Sequence, residues 1–375
     1  MSGLGPAGAG ERGLGPAGAG ALGLGPAGAG ALGLDSFGMF QATAGLPEQV
    51  EAAARAAAGV EIDGLPPRDK VENVVVLGMG GSGIAGDVLL AAAAPFMAVP
   101  VVVVKSYLPP AFVGPGSLVF AISFSGDTEE TVEALGEAEN QGADVVVVAS
   151  GGELARMADA IGAPVINVPD SIPQPRAALG AVAIPPLIVL EAVGLFPGAG
   201  RWVALAVDQL KRRRDQLVGA HSPAQAMAAR IGRTIPLIYG SHAVGATAAQ
   251  RWKTQVNENA KCPAFCGVYP ELCHNEIAGW GQHGDATRQL MTIINLRHDA
   301  EHPQVSRRVE FVAEVMGEVV AGIEEVRAQG EGDLAQLFDL ALFGDFVSLY
   351  MADQEGIDPG PVPVLGEIKA RLRRG

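Results

Sequence analysis

Short runs of β-branched residues alternate with helical stretches along most of this chain, and that alternation limits the possible folds more than any other feature. In the first half the predicted strands are Asn73–Leu77, Val99–Val104, Leu118–Ser123, Asp144–Ala149 and Val165–Val168. The helices predicted between them include Gly83–Ala93, Thr128–Asn140 and Glu153–Ile161. This alternation is typical of an α/β fold, in which helices cover both faces of a parallel sheet.

The pattern stops at a break and then restarts. A long apolar helix is predicted at Ala177–Gly194, followed by a Pro/Gly-rich segment at Phe196–Gly200. The elements predicted beyond it are helix Trp202–Leu217, strand Pro236–Tyr239, helix Gly245–Asn259, strands Gln289–Asn295 and Gly322–Val326, and helices Asp333–Asp353 and Leu365–Leu372. A chain of 375 residues exceeds the usual size of one domain. We therefore expect two α/β domains in tandem, residues 35–196 and 197–375.

The first 34 residues differ from the rest. Gly-Leu-Gly-Pro-Ala-Gly-Ala-Gly occurs three times with a ten-residue period, starting at Gly3, Gly13 and Gly23. The glycines do not recur at every third position, which excludes a collagen register. So many Gly and Pro residues cannot offset the entropy lost on ordering. We expect residues 1–34 to form a disordered tail.

Charge and cysteine content restrict the partners and the compartment. The formal net charge of -15 disfavours binding to nucleic acid or to an anionic membrane surface. The chain has three cysteines, which leave one unpaired in any disulfide scheme and indicate a reducing, cytoplasmic setting. Prolines interrupt the apolar stretches 89–104 and 181–196, so no transmembrane helix is predicted.

A glycine-rich turn, Gly78-Met-Gly-Gly-Ser-Gly83, joins the first predicted strand to a helix. Its spacing matches the G-x-G-x-x-G loop that binds dinucleotides. A dinucleotide site also needs an acidic residue at the end of the second strand, and here that strand runs into Val104-Lys105-Ser106. A dinucleotide cofactor is therefore disfavoured.

A second loop, Ser123-Phe-Ser-Gly-Asp-Thr128, follows the third predicted strand and leads into a helix. A helix N-terminus presents unpaired N–H groups and a partial positive charge, and hydroxyl groups at the same turn can donate to a phosphate. The alternative is an ordinary Ser/Thr helix cap followed by acidic residues. Two loops of this type at neighbouring strands favour a phosphate site.

Together these two loops resemble the sugar-phosphate loops of sugar-isomerase (SIS) domains. More specifically, the chain from about Asp35 to its C-terminus resembles the bifunctional phosphoglucose/phosphomannose isomerase family. The resemblance implies two flavodoxin-like SIS domains and a homodimer. The phosphate-binding residues that it implies are Gly81, Ser82, Ser123, Ser125 and Thr128. The family commonly has Asn where this chain has Asp127.

Two segments in the second half carry candidate catalytic residues. Glu258 and Lys261 are three residues apart on a predicted helix, which by itself indicates a solvated ion pair. By resemblance to the family's Glu-Asn-Ala-Lys motif, Glu258 would be the catalytic base. His274, in Pro-Glu-Leu-Cys-His-Asn-Glu-Ile, has a side chain that ordinarily titrates near neutrality. The resemblance assigns it to opening the sugar ring, and the alternative is a histidine bonded to nearby backbone.

Two further positions match the family, and a third departs from it. Arg176 resembles the arginine that stabilises the enediolate, and its alternative is a surface arginine. Lys369 resembles the lysine that reaches the ring oxygen or a hydroxyl of the substrate; its alternative is part of a basic C-terminal helix. Gly360 stands where a side chain lining the sugar pocket is expected.

The resemblance implies an enzyme that interconverts fructose 6-phosphate with glucose 6-phosphate and mannose 6-phosphate through a cis-enediolate, without a cofactor or metal. Zinc binding by Cys262, Cys266, Cys273 and His274 is disfavoured, because their spacings do not match those of structural zinc sites. Two alternatives stay open: a sensor that binds sugar phosphates without catalysis, and an isomerase for another sugar phosphate.

Overall fold

The structure, a computed structural model, describes residues 32–372. Residues 1–31 of the tail predicted for residues 1–34 lie outside the described residues.

The first half contains a parallel sheet of five strands in the order β2-β1-β3-β4-β5. The strands are β1 (Asn73–Leu77), β2 (Val101–Val104), β3 (Ser117–Ser123), β4 (Asp144–Ala149) and β5 (Val165–Asn167). All five were predicted within two residues at each end. Every residue of β1 and β3 is buried, as expected for central strands that helices cover on both faces.

Most helices of the first half pack on this sheet, whereas the first one packs against a long helix of the second half. The helices of the first half are α1 (Met39–Ala44), α2 (Leu46–Ala58), α3 (Gly80–Ala92), α4 (Glu129–Asn140), α5 (Gly152–Ile161) and α6 (Leu179–Val193). The glycine-rich turn forms the first turn of α3, and the hydroxyl loop leads from β3 into α4. Both loops therefore lie at the carboxyl ends of the neighbouring strands β1 and β3.

The second half contains a parallel sheet of four strands in the order β7-β6-β8-β9. The strands are β6 (Ile235–Ser241), β7 (Phe265–Tyr269), β8 (Met291–Arg297) and β9 (Gly322–Arg327). The helices are α7 (Ala199–Leu217), α8 (Pro223–Ile231), α9 (His242–Gln255), α10 (Gly284–Leu290), α11 (Pro303–Met316), α12 (Asp333–Gln354) and α13 (Pro363–Leu372).

In the second half the structure adds four elements to the predicted set: α8, β7, α10 and α11. Strand β7 lies at the edge of its sheet and Phe265 and Val268 on it are exposed, so the buried β-branched run that marks the other strands is missing. The helix predicted at Gly245–Asn259 also differs. Its α-helical part ends at Gln255 and continues as a π-helical turn, Val256–Ala260.

Helix α12 lies at the centre of the second half, packed against α7, α8 and α9. It is long and apolar enough to cross a membrane, but its apolar window is completely buried inside the fold. Packing in the core therefore accounts for its composition. The predicted domain boundary at Phe196–Gly200 falls between α6 and α7, and the assignment of residues 35–196 and 197–375 to separate domains stays a prediction.

Candidate active site

The five residues predicted to bind phosphate lie together at the carboxyl ends of β1 and β3. The buried Ser82 hydroxyl accepts a hydrogen bond from the Phe124 amide at 2.9 Å, which ties the glycine loop to the hydroxyl loop. Within the hydroxyl loop, Ser123 Oγ lies 2.8 Å from Thr128 Oγ1. Ser125 is exposed, and its Oγ accepts from the Asp127 amide at 3.2 Å, which leaves its hydroxyl hydrogen available to a ligand.

Two glycines allow these loops to adopt their shape. Gly126 has a φ of 77°, and a Cβ there would lie 1.8 Å from the carbonyl oxygen of Gly151. A side chain at this position would therefore displace the neighbouring loop. A Cβ on Gly81 would lie 3.1 Å from the Arg176 amide nitrogen and from the Pro175 carbonyl oxygen. The predicted phosphate loop thus packs directly against the segment that carries Arg176.

The Asp127 carboxylate is used within the protein. Its Oδ1 accepts a hydrogen bond from the Glu153 amide at 2.9 Å, at the N-terminal end of α5. A carboxylate at a helix N-terminus satisfies an otherwise unpaired N–H group and opposes the partial positive charge there. Asp127 therefore has a structural partner of its own beside the phosphate loop.

Arg176 is almost completely buried, with 4% of its surface exposed, so the surface-arginine alternative is wrong. Its guanidinium donates to Asn259 Oδ1 at 2.7 Å and to the carbonyl oxygens of Pro359 and Gly360 at 2.5 and 2.7 Å. Weaker contacts reach Gln174 at 3.3 Å and the Glu258 carboxylate at 3.5 Å. Burial lowers the pKa of Arg176, Glu258 opposes this shift and Arg251 adds to it. The residue is a fixed cation beside Glu258.

Glu258 lies in the π-helical turn at the end of α9, and its side chain is 29% exposed. Turns of this kind occur frequently at functional sites. The turn ends at Lys261, which has a left-handed backbone with φ 55°. Lys261 Nζ donates to the main-chain oxygen of Glu258 and, at 3.2 Å, to that of Pro359. Within residues 32–372 the ionic partner of the Glu258 carboxylate is Arg176, so the ion pair with Lys261 expected from spacing alone is absent.

A buried polar network, which the sequence analysis did not identify, holds this pair in place. Asn259 donates from its amide to Gln255 Oε1 at 3.0 Å and to Ser348 Oγ at 2.9 Å. Arg251 donates to the main-chain oxygen of Arg176 at 2.9 Å and to the Asp345 carboxylate at 2.6 Å. The burial of these residues could not be predicted from the sequence pattern, because polar residues on a helix usually face solvent.

His274 and Lys369 are not part of this arrangement. His274 ends a short 3-10 turn, Glu271–His274, after the edge strand β7, and its side chain is exposed. Lys369 lies on α13, where every residue is exposed. Across residues 32–372, no hydrogen bond or ion pair joins either residue to Glu258 or Arg176. The single chain therefore brings together four elements of the predicted site: the two loops, Arg176 and Glu258.

The cysteines give no metal centre in the described part of the chain. Cys262, Cys266 and Cys273 are free thiols. Cys262 Sγ donates to the Pro263 carbonyl oxygen and Cys266 Sγ to Gln250 Oε1. In residues 32–372, no group of three or more His, Cys, Asp or Glu side chains is arranged to hold a metal ion.

Two segments of this chain match known domain families. Residues 69–171 match the SIS domain, and residues 220–372 match the bacterial phospho-glucose isomerase C-terminal SIS domain. The matched segments contain the first and the second sheet, respectively.

Several relatives have similar sequences over most of this chain. The bifunctional phosphoglucose/phosphomannose isomerase of Caldicellulosiruptor bescii is 32% identical, over 89% of this chain and 98% of its own length. The protein of the same name from Aquifex aeolicus is 32% identical, over 81% of this chain and 91% of its own length. A crystal structure of a hypothetical protein from Thermus thermophilus superposes with a TM-score of 0.69 at 15% identity and covers 90% of this chain and 91% of that one. This last likeness concerns the fold alone.

Proposed function

The chain belongs to the bifunctional phosphoglucose/phosphomannose isomerase family, and we propose that it interconverts fructose 6-phosphate with glucose 6-phosphate and with mannose 6-phosphate. One observation of the structure carries this proposal. A partly exposed carboxylate, Glu258, lies 3.5 Å from the buried cation Arg176, and the loop that packs on Arg176 belongs to the candidate phosphate site. A base, a cation and an anion site thus adjoin one another.

Aldose–ketose isomerisation moves a proton between C1 and C2 through a cis-enediolate. The reaction needs one base that serves both carbons and a positive charge near the developing oxyanion. Glu258 is the base in this proposal, and Arg176 provides the positive charge. Going from aldose to ketose, one proton moves from C2 to C1 and a hydroxyl proton moves from O2 to O1, so the sugar is not oxidised overall and no redox cofactor is required. Arg176 supplies the positive charge in this proposal, so no metal is invoked.

The phosphate fixes the sugar relative to Glu258. Ser125 and Thr128 supply hydroxyl donors at the N-terminus of α4, while the buried Ser82 and Ser123 set the shape of the loops. Backbone N–H groups at the first turns of α3 and α4 add donors, so an anion can bind despite the negative net charge. Binding energy from the phosphate then contributes to orienting the reacting carbons.

We assign ring opening to His274 and Lys369, which would act in a homodimer. The exposure of His274 in its own chain supports a role in which it completes the site of a partner. Helix α13, which carries Lys369, supports it as well. Four apolar residues form an exposed stripe on this helix. A contiguous exposed apolar patch usually marks a site where a partner binds. The four residues are Val364, Leu365, Ile368 and Leu372.

The proposed setting is the cytoplasm, and the proposed partners do not include nucleic acid or a membrane. The net charge of -15 and the three free thiols support this assignment.

An assay of the purified chain tests the function directly. Fructose 6-phosphate is supplied, and glucose 6-phosphate is detected through its oxidation by a coupled NADP-dependent dehydrogenase. We expect turnover in the usual enzymatic range of about 1–1,000 per second, and turnover of mannose 6-phosphate in a parallel assay. Binding of these sugar phosphates without any turnover would instead support the sensor alternative.

A further inference from the structure

The loop between α12 and α13 contacts two cations that lie beside Glu258, namely Arg176 and Lys261. The carbonyl oxygens of Pro359 and Gly360 accept from Arg176 Nη2 at 2.5 and 2.7 Å, and the Pro359 oxygen also accepts from Lys261 Nζ at 3.2 Å. Both carbonyl oxygens therefore accept from the same guanidinium nitrogen, Nη2. The position of residues 359–360 therefore helps to set where the Arg176 charge lies relative to Glu258.

The start of the described chain holds this loop in turn. The Ser36 amide and the Gly360 amide both donate to Asp358 Oδ1, at 3.3 and 3.0 Å. The Gly33 amide donates to Asp353 Oδ1 at 2.7 Å, near the end of α12. Segment 33–37, which directly follows the repeats, is thus bonded to the end of α12 and to the loop itself.

Phe37 packs against the backbone of Gly360. A Cβ on Gly360 would lie 2.8–3.0 Å from the Cγ, Cβ and Cδ2 atoms of Phe37, and such short contacts do not occur in packed proteins. The phenyl group therefore occupies the space that any side chain at position 360 would need. Exposed apolar residues are common on protein surfaces. Phe37, although 46% exposed, differs from them in pressing on a backbone that holds a buried cation.

Segment 33–37 has a rigid base. The Asp35 carboxylate accepts from the amides of Met39 and Phe40, both at 2.8 Å, at the start of α1. Phe40 packs edge-on against Phe346 and Tyr350 of α12, with ring centroids 5.1 and 5.9 Å apart. Phe37 is consequently anchored to the central helix of the second half.

We propose that segment 33–37 supports catalysis from outside the active site, with Phe37 as a positioning residue that fixes residues 359–360 and, through them, Arg176. This inference rests on the proposed isomerase function. Phe37 touches no reacting atom in this scheme. Its loss displaces the positive charge needed in the transition state, so it lowers kcat more than it changes KM.

A double-mutant cycle tests the contact. Phe37→Ala is expected to lower kcat on fructose 6-phosphate about tenfold with a KM within about twofold of wild type. Gly360→Ala should lower kcat similarly, because its methyl group meets the Phe37 ring. In the double variant the methyl group has room, so the combined loss should be smaller than the product of the single losses.

Phe37→Leu, which keeps most of the packing, should retain most of the activity. Phe311→Ala, at another exposed Phe on α11, is the control and should behave as wild type.

Hydrogen exchange provides a measurement that does not depend on activity. Phe37→Ala should speed exchange in a peptide covering residues 355–362, while the melting temperature stays within a few degrees of wild type. Deleting residues 2–31 should leave exchange and kcat unchanged, whereas deleting residues 2–37 should reproduce the effects of Phe37→Ala.

Two results would overturn the inference: a wild-type kcat in Phe37→Ala, whatever its exchange, or losses in the double variant that simply multiply. An inactive wild-type protein would instead contradict the proposed function. In that case the exchange measurement would still decide whether Phe37 fixes the loop.

Discussion

The surroundings of Arg176 and of His274 differ sharply, although the sequence predicts a catalytic role for both residues. Arg176 is buried, and its guanidinium has five acceptor groups within 3.5 Å. His274 is exposed at the edge of the second sheet, and its ring makes no hydrogen bond within residues 32–372. One chain therefore brings together the groups that we propose for proton transfer, whereas the residue proposed for ring opening makes no contact with them. The difference indicates that the two steps depend on different levels of organisation.

The largest expected effect separates the two steps chemically. Glu258→Gln keeps the size of the side chain but removes the base, so isomerisation of fructose 6-phosphate should fall at least about a hundredfold. Exchange between the anomers of glucose 6-phosphate should persist in this variant and be lost in His274→Ala. Rates of isomerisation and of anomer exchange, measured on the same preparations, check both expectations.

Glu310→Gln, at an exposed position on α11, is the matched control for the loss of a carboxylate. If Glu258→Gln isomerised at the wild-type rate, Glu258 would not be the base. The contact between Arg176 and Glu258 would then have no role in proton transfer.

The second prediction tests whether His274 acts across a dimer. Inactive Glu258→Gln and inactive His274→Ala chains are mixed, unfolded and refolded together. If His274 completes the partner's site, a mixed dimer contains one site with both native residues. Random pairing should then restore about a quarter of wild-type activity. Sedimentation of the mixture establishes the dimer. Lack of recovery in a confirmed mixed dimer would place His274 in the site of its own chain.

The smallest effect is expected at the phosphate loops. Ser125→Ala combined with Thr128→Ala removes two hydroxyl donors from an anion site and should raise KM about tenfold with a smaller change in kcat. Calorimetric titration with a sugar phosphate should show the same loss of affinity. Thr287→Ala, which removes a half-buried hydroxyl on α10, is the control. Unchanged affinity in the double variant would remove these hydroxyls from the phosphate site.

Local patterns were sufficient to predict most of the fold. Strands β1 and β4 are found at the predicted residues, because unbroken valine runs such as 145–148 have few alternatives to a buried strand. Strand β7 was missed, because its Phe-Cys-Gly-Val-Tyr sequence is half exposed at a sheet edge and carries no such run. Helix α11 shows the helical spacing of buried Val305, Val309 and Val312, so a signal for it is present among its charged residues.

The candidate site was predicted less completely. The two loops follow from local motifs, because each lies where a strand passes into a helix. The partner of Glu258 could not be predicted in this way. Spacing along a regular helix favours Lys261, but the π-helical turn and the left-handed backbone at Lys261 direct its ammonium to main-chain oxygens instead.

The sequence by itself determined most of the elements, the parallel arrangement of the strands and the two loops at their carboxyl ends, because each depends on residues close together in the chain. Only the tertiary structure decided that Arg176 meets Glu258, 82 positions away, and that Gly360 lies under Phe37. The physical reason is burial. A guanidinium removed from water must be surrounded by acceptors, and packing two halves of the chain together brings those acceptors from distant segments.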